Sequence, residues 1–414
     1  LIAADNGFQS VLMAPTEILA QQHFNSIKEL TKELPVKVEL LTGSTKTRQK
    51  NELLQQCSDG SISILVGTHA IIEDKVVFKN LGFAVVDEQH KFGVAQRARL
   101  WKKNAIPPHI LVMTATPIPR TLAMTAYGDL DYSVMDELPP GRQPIQTVHR
   151  NEMQRAGVMG FVKEEIAKGR QAYIIYPLIE ESEKLSYEDL MQGYEQVKSY
   201  FPEPRYKISM VHGRMPADQK DVNMQRFVTH DTNIMVSTTV IEVGVNMPNA
   251  SVMVIESAEK FGLSQLHQLR GRVGRGAEKS FCILLTGPKV SNDARERLKI
   301  MVATNDGFKI AEKDLEIRGP GDIEGTKQSG LLNFKLANIV HDKAMLEVAR
   351  EVAENLLETD PDIIMAENLP VKNYLHQQKE FYQLNDYSFH EFQLSLLLFQ
   401  LEYHQPHLHQ VQHQ

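Results

Sequence analysis

Two adjacent acidic residues, Asp87 and Glu88, follow an apolar run at 83–86 that is typical of a buried strand. Mg²⁺ prefers hard oxygen ligands and usually keeps several waters, so one carboxylate at a strand end suits it. A second carboxylate beside the first can orient or deprotonate an attacking water. On its own the pair is also compatible with a solvated acidic turn.

The stretch 268–276 holds three arginines and three glycines in nine residues, the strongest local signal in the sequence. The planar guanidinium groups of Arg272 and Arg275 could stabilise the charge that spreads over a transferred phosphoryl group. The glycines follow the order GxxGxG with no strand before them, which excludes a dinucleotide-binding fingerprint. A basic patch without any phosphate ligand is the alternative interpretation.

A third polar stretch, Thr114-Ala115-Thr116-Pro117, ends the apolar run 110–113. Small hydroxyl residues at this position can hydrogen-bond to the acidic pair or to a facing domain. Taken alone, the stretch is better explained as a helix N-cap with Pro117 in the first helical position.

Arginines can serve a triphosphate only across a cleft from the bound nucleotide, so a P-loop is expected in the first half of the protein. The 414 residues contain no Gly-Lys-Ser or Gly-Lys-Thr. Since that motif cradles and charges the phosphates, we expect no appreciable ATP hydrolysis from these residues alone.

Continuous apolar strands alternate with helical segments in both halves of the chain, a pattern typical of parallel sheets buried on both faces. In such sheets the chemistry lies at the carboxyl ends of the strands. The predicted strands lie at 8–16, 36–41, 63–66, 83–86, 110–113, 172–176, 207–211, 233–237, 251–255 and 281–285, and the predicted helices at 17–34, 46–56, 187–200 and 218–228.

Three prolines and a glycine within 138–144 predict a linker between two domains. The strand signal stops near residue 293. Two short helices are predicted there, at 294–304 and 308–314, followed by a glycine-rich loop at 318–322 and an amphipathic helix at 341–358. At the other end, residues 1–5 resemble the last turn of a helix with Gly7 as its cap, so we expect more chain upstream.

Composition excludes several classes of protein. No apolar run approaches the roughly 18 residues that a membrane span needs. Two cysteines, Cys57 and Cys282, cannot form a disulfide framework, which favours a reducing, cytoplasmic setting. A net charge of −7 confines any nucleic-acid surface to a local patch. The His- and Gln-rich end after residue 380 is weak evidence for a metal site and is typical of a disordered tail.

Further motifs complete an ordered series along the chain. They are Ala14-Pro15-Thr16-Glu17, Thr42-Gly43-Ser44, Gly67-Thr68-His69-Ala70, Asp87-Glu88-Gln89-His90, Thr114-Ala115-Thr116-Pro117, Val211-His212-Gly213-Arg214, the stretch 237–245 and the Arg272/Arg275 run. This order resembles that of superfamily 2 helicases from just after motif I through motif VI. Residues 307–322 and 325–330 resemble the translocation motif shared by the RecG family and the transcription-repair coupling factors. Gln89 and the run Arg318-Gly319-Pro320-Gly321-Asp322 favour the RecG family.

The resemblance covers residues 1–365 and implies an α/β fold. We expect two tandem RecA-like parallel-sheet domains, the first truncated at its N-terminus, and then a C-terminal helical hairpin and loop region. The expected spans are 1–138 with motifs Ia to III, a linker at 139–145, 146–292 with motifs IV to VI, 293–365 with the hairpin and translocation motif, and a tail at 366–414 with a disordered or aberrant end.

The resemblance also implies a role for individual residues, carried over motif by motif. Asp87 would hold Mg²⁺, Glu88 would activate water, and Arg272 and Arg275 would complete the catalytic set. The ATP would be contacted by Gln268, Gly244, Glu242, Thr114 and Thr116. The DNA path would include Thr16, Thr68, His212 and Thr239, and Arg318 and Gln328 would couple domain closure to movement on duplex DNA.

The implied function is that of an ATP- and Mg²⁺-dependent DNA helicase that remodels branched DNA by fork reversal and branch migration. It would act as a monomer on branched or duplex DNA, with single-stranded DNA-binding protein as a partner and no membrane association. Two alternatives remain open at this point, a coupling-factor motor and a non-catalytic DNA-binding or regulatory protein. Four positions depart from the family pattern: Lys91, Asn246, Glu324 and Lys327.

Overall fold

The structure of the protein is a computed structural model. It describes residues 1–88, 100, 103, 106–117, 133–135, 137–139, 141–177, 183–238, 247, 249–276, 278–318, 343–361 and 363–374. The described residues of Leu1–Pro117 and Pro139–Gly307 form one compact unit, and those from Phe308 onward belong to a second unit. None of the described helices is both long enough and apolar enough to cross a membrane.

The first lobe of the larger unit is built on a five-stranded sheet in the order β2-β3-β1-β4-β5, with every neighbouring pair parallel. Its strands are β1 (Gln9–Met13), β2 (Val38–Leu41), β3 (Ile64–Gly67), β4 (Leu81–Asp87) and β5 (His109–Met113). The helices of its described residues are α1 (Ile2–Asp5), α2 (Glu17–Leu30) and α3 (Thr47–Asp59), with a 3₁₀ turn at His69–Ile72.

The second lobe is built on a six-stranded sheet in the order β6-β11-β10-β7-β9-β8, again parallel throughout. Its strands are β6 (Gln146–Asn151), β7 (Gln171–Ile175), β8 (Ile208–Val211), β9 (Ile234–Ser237), β10 (Ala250–Ile255) and β11 (Phe281–Thr286). Its helices are α4 (Arg155–Ala167), α5 (Glu183–Tyr200), α6 (Ala217–Val228), α7 (Leu263–Arg270) and α8 (Asn292–Ala303).

Two further helices follow, α9 (Gly307–Arg318) and α10 (Lys343–Thr359). In the second unit, Leu356 and Leu357 of α10 pack with Val371 and Tyr374 around buried Ile363. Helices α8 and α9 thus correspond to the two short helices predicted after the strand signal stops.

Burial explains why the central strands were predictable from sequence. All residues of β7 and β10 are buried, so these strands are apolar at almost every position. In the first lobe, Val11 and Met13 of β1 face a core that includes Leu53 and Cys57 of α3. On the opposite face, Ala20 of α2 packs with Ala14 and Val66.

The structure confirms the two predicted parallel sheets and corrects several details. Helix α2 ends at Leu30 instead of residue 34, β1 ends at Met13 instead of residue 16, and α9 extends to Arg318 instead of ending at residue 314. Strand β6 was not predicted, because this polar strand at the edge of the sheet pairs only with β11 and contains no apolar run. Helices α4 and α7 were not predicted either.

One of the three arginines in the 268–276 stretch has a structural role. Arg270 is 2% exposed, and its guanidinium donates to the carbonyl oxygens of Met301 at 3.0 Å and Thr304 at 2.7 Å. These carbonyls lie at the end of α8, where the last helical C=O groups have no partner within the helix. Arg270 therefore fastens the end of α7 to the end of α8.

Replacing Gly67 by Ala should destabilise the first lobe. A Cβ on Gly67 would lie 1.9 Å from the carbonyl oxygen of Leu41 in the paired strand β2, so backbone would have to shift. We expect a loss of about 2 kcal/mol or more in the free energy of unfolding, measured by denaturant titration followed by circular dichroism. Gly160→Ala in α4 is the matched control, since a Cβ there meets nothing within 4 Å. Equal stability of the two variants would contradict this packing.

Replacing Arg270 by Lys should destabilise the second lobe by about 2–4 kcal/mol, because one ammonium cannot replace a planar donor that serves two buried carbonyls. The exposed Arg295 of α8 provides the control, and Arg295→Lys should change the free energy of unfolding by less than about 0.5 kcal/mol. The same denaturant titration measures both variants. An Arg270→Lys protein as stable as the parent would contradict the structural role of Arg270.

Candidate active site

The acidic pair lies where β4 ends, between β1 and the edge strand β5 of the first sheet. Asp87 is the last residue of β4, and its Oδ1 accepts a hydrogen bond from the backbone N–H of Glu88 at 2.9 Å. Glu88 adopts φ of 51°, a left-handed conformation that costs energy for a residue with a side chain. This left-handed residue comes immediately after the first carboxylate.

A histidine that the sequence analysis did not single out holds the other oxygen of Asp87. His23 Nε2, on α2, lies 2.8 Å from Asp87 Oδ2. Both side chains are largely shielded, with 27% of His23 and 17% of Asp87 exposed. The motif at Thr16 was the only sequence signal near His23. The periodicity of α2 predicts a helix but cannot show that one of its residues meets β4, which comes four elements later in the chain.

The predicted hydroxyl residues stand next to the acidic pair. Parallel pairing places Met113 of β5 beside Asp87, so Thr114 follows at the level of Glu88. The carboxylate of Glu88 accepts a long hydrogen bond from Ala115 N–H at 3.4 Å. Thr114 Oγ1 accepts from the Thr116 N–H at 3.1 Å. The N-cap alternative concerns residues that follow Pro117, which lie outside the described part.

Within the described part of the chain, a hydrogen bond joins the two lobes at this site. Gln268 Nε2, from the last turn of α7, donates to Thr116 Oγ1 at 2.5 Å. Near it, a Cβ on Gly307 would lie 2.4 Å from the ring of Pro117 and 2.9 Å from His267 Nε2. The end of β5 in the first lobe is thus packed directly against α7 and the start of α9.

Arginines gather beyond the end of α7. Arg272 is 7% exposed and Arg275 is half-buried. Burial and, after it, the positive charges of Arg272 and Arg142 lower the pKa of Arg275 to about 10. Three guanidinium groups in one partly buried place repel one another, so a bound anion would be stabilised there.

Arg142 belongs to the connecting stretch and was not a predicted site residue. Its Nε donates to the carbonyl oxygen of Gly274 at 2.9 Å. Gly274 has φ of 73°, and a Cβ there would lie 2.8 Å from the side chain of Ile145. The connection between the lobes therefore packs against residues 271–276, the arginine loop, which carries Arg272 and Arg275.

The residues predicted to follow the DNA path occupy different depths. Thr16 caps α2, with its Oγ1 accepting from Leu19 N–H at 3.3 Å. His212 follows β8 and is partly buried. Its pKa is lowered mainly by this burial and to a smaller extent by the positive charges of Lys220 and Arg214. Thr68, just before the 3₁₀ turn His69–Ile72, is only 2% exposed, so its hydroxyl lies beneath the surface.

Several predicted residues cannot be placed. Thr239, Glu242, Gly244, Gln328 and the four family departures Lys91, Asn246, Glu324 and Lys327 lie outside the described residues. Arg318 ends α9, but the position of its side chain also lies outside them.

The described residues fit a magnesium nucleotide better than a metal held by protein ligands alone. No group of three or more His, Cys, Asp or Glu side chains in the described part is arranged to hold a metal ion. Mg²⁺ needs only one or two carboxylates when substrate phosphates and waters supply the other oxygens. Asp87 and Glu88 can provide that share, and Gln268, Arg272 and Arg275 can provide donors for phosphate.

Comparison with known proteins shows which family carries this arrangement. Three family models match consecutive parts of the chain: DEAD/DEAH box helicase over residues 1–125, helicase conserved C-terminal domain over 157–277, and ATP-dependent DNA helicase RecG, domain 3, C-terminal over 304–384. The matches fall on the first lobe, on much of the second lobe and on the helices that follow them.

Similar whole proteins give the same result. The chain is 52% identical over 375 residues to ATP-dependent DNA helicase RecG of Synechocystis, covering 90% of the chain and 44% of that relative. It is 51% identical over 355 residues to RecG of Bacillus subtilis, covering 86% of the chain and 52% of the relative. The chain thus spans about half the length of the curated relatives it matches.

A solved structure of RecG bound to a three-way DNA junction superimposes with a TM-score of 0.65 at 42% identity, covering 82% of the chain and 44% of that protein. Sequence and fold therefore agree, and the predicted RecA-like architecture is confirmed. The chain belongs to the RecG family of superfamily 2 helicases.

Proposed function

We propose that this chain is the motor portion of an ATP-dependent DNA helicase that remodels branched DNA. The observation that carries the proposal is the hydrogen bond from Gln268 to Thr116. It brings the last turn of α7, which Arg272 and Arg275 follow in the chain, to the end of the strand next to the acidic pair. A site shared by two lobes can convert nucleotide binding and release into lobe movement, which a motor requires.

In this proposal the protein residues have separate tasks at the nucleotide. Glu88, with its left-handed backbone conformation, accepts a proton from the attacking water. Arg272 and Arg275 stabilise the charge that develops on the transferred phosphoryl group, and Gln268 with Thr116 keeps the two lobes in register. Mg²⁺ held through Asp87 would neutralise charge on the phosphates when bound.

Residues at the carboxyl ends of strands would contact DNA. Thr16 after β1 and His212 after β8 are placed for contacts to phosphate, which fix position without reading sequence. Thr239 would extend this path, and Arg318 and Gln328 would couple lobe closure to movement along the duplex. We propose branch migration and fork reversal as the resulting reactions, because a relative of this family has been solved on a three-way DNA junction.

The match of residues 304–384 to the RecG C-terminal model favours this function over that of a coupling-factor motor. We further propose that the protein works as a monomer in the cytoplasm, with single-stranded DNA-binding protein as a partner. Two buried cysteines, Cys57 and Cys282, with free thiols are consistent with a reducing compartment.

Hydrolysis of ATP tests the motor function. We would compare the 414-residue chain with a chimera in which the segment of the Bacillus subtilis relative that precedes its aligned region is joined to Leu1. The chimera should hydrolyse ATP, and faster when a three-way junction is added. The 414-residue chain should show no appreciable hydrolysis with or without DNA, since it contains no Gly-Lys-Ser/Thr motif. The released phosphate measures both. A chimera that binds the junction without hydrolysing ATP would favour the regulatory alternative.

Arg275→Ala in the chimera tests the arginine role. We expect the turnover number to fall by about 10³-fold, because stabilisation of the transition state is lost. The affinity for ATP, measured with a fluorescent analogue, should fall by only a few-fold. Arg205→Ala changes an exposed arginine of the same lobe and should leave turnover unchanged. Normal turnover in Arg275→Ala would remove this residue from the catalytic set.

A further inference from the structure

Helix α2 makes side-chain hydrogen bonds to two different parts of the first lobe, one from its first turn and one from further along the helix. At its first turn, the carboxylate of Glu17 accepts from Ser44 N–H at 2.9 Å and from Ser44 Oγ at 2.6 Å. Ser44 belongs to the Thr42-Gly43-Ser44 turn after β2, and a Cβ on Gly43 would lie 3.3 Å from the same carboxylate. The N-terminal end of α2 and this turn therefore form one connected edge.

Two turns further along the same helix, His23 reaches Asp87. His23 lies seven positions after Thr16, which corresponds to about 10 Å along a helix axis. Leu19 and Phe24 of α2 pack around buried Ala20 against the sheet. A packed helix moves as a rigid element, so displacement at its first turn is carried to His23.

The contact with His23 fixes a carboxylate that would otherwise rotate. The backbone N–H of Glu88 holds Oδ1 of Asp87 and His23 holds Oδ2, so both oxygens have a partner. A neighbour that orients a metal-binding carboxylate typically changes metal affinity or activity by 10–100-fold when it is removed. His23 is thus a positioning residue for Asp87.

We propose that His23 transmits contact with DNA at the start of α2 to the orientation of the Asp87 carboxylate, and so couples DNA binding to the nucleotide's metal ion. The coupling path consists of the edge formed by Thr16, Glu17 and Ser44, the rigid body of α2, and the hydrogen bond from His23 to Asp87. This inference rests on the proposed function, since it requires both DNA and a metal nucleotide.

The experiment measures metal binding without turnover. Mn²⁺ replaces Mg²⁺, ADP is the nucleotide, and the electron paramagnetic resonance signal of free Mn²⁺ reports its affinity for the chimera with and without a three-way junction. In the parent chimera, DNA should change the Mn²⁺ affinity by about 5-fold or more. In His23→Ala, affinity without DNA should fall by about 10-fold and the effect of DNA should disappear.

Two variants separate coupling from a general structural effect. Gln21→Ala alters the exposed side of the same helix and should behave as the parent, because Gln21 hydrogen-bonds only to Asn25 among the described contacts. His23→Gln keeps a donor near the position of Nε2 and should restore part of the DNA effect. If His23→Ala does not fold, His23→Leu, which fills a similar volume without a donor, decides in its place, and an effect of DNA as large as in the parent would then overturn the inference.

The outcomes distinguish this inference from the proposed function. DNA affinity, measured by fluorescence anisotropy, should stay within about twofold of the parent in His23→Ala, because Thr16 and Ser44 remain in place. A His23→Ala chimera with weaker Mn²⁺ binding but an unchanged DNA effect would overturn the coupling and leave the motor function intact. A parent chimera without DNA-stimulated hydrolysis would overturn both.

Discussion

Parallel pairing of every strand in the two sheets is the constraint on which the site depends. Because all strands of one sheet point the same way, the residues that follow them emerge at a single edge. Asp87 at the end of β4 and Thr114 after β5 become neighbours for this reason, although 26 residues, among them those of β5, separate them in sequence. A reversed β5 would carry the Thr114-Pro117 turn to the opposite edge and leave Gln268 without its partner.

The sequence was most informative where burial forces composition. Strands β7 and β10 are buried throughout, and an unbroken apolar run is a dependable sign of such a strand. Asp87 and Glu88 stood out because a charged pair directly after such a run is chemically conspicuous. Strand β6 was not predicted for the opposite reason, since a polar strand at the edge of a sheet has the same composition as a loop.

Residues that act through another side chain could not be predicted. His23 lies inside an ordinary amphipathic helix, and nothing in the spacing of α2 indicates that it meets Asp87 across β1. Arg142 lies in a proline-rich connection, where its contact with the carbonyl of Gly274 depends on tertiary structure alone. Arg270 resembles its neighbours Arg272 and Arg275 in sequence, yet its carbonyl partners mark it as a structural residue. Side-chain roles of this kind are decided by packing between distant elements.

The contact between Arg142 and Gly274 limits how the lobes can separate. Just beyond it, the N–H of Gln146 bonds to the carbonyl of Ser280, where β6 begins to pair with β11. The later half of the connection is therefore already part of the second lobe, and any swivel between lobes has to be absorbed before Arg142. Because Arg142 and Gln146 are bonded to Gly274 and Ser280, a hinge before Arg142 would carry the arginine loop, and Arg275 with it, together with the second lobe as one body.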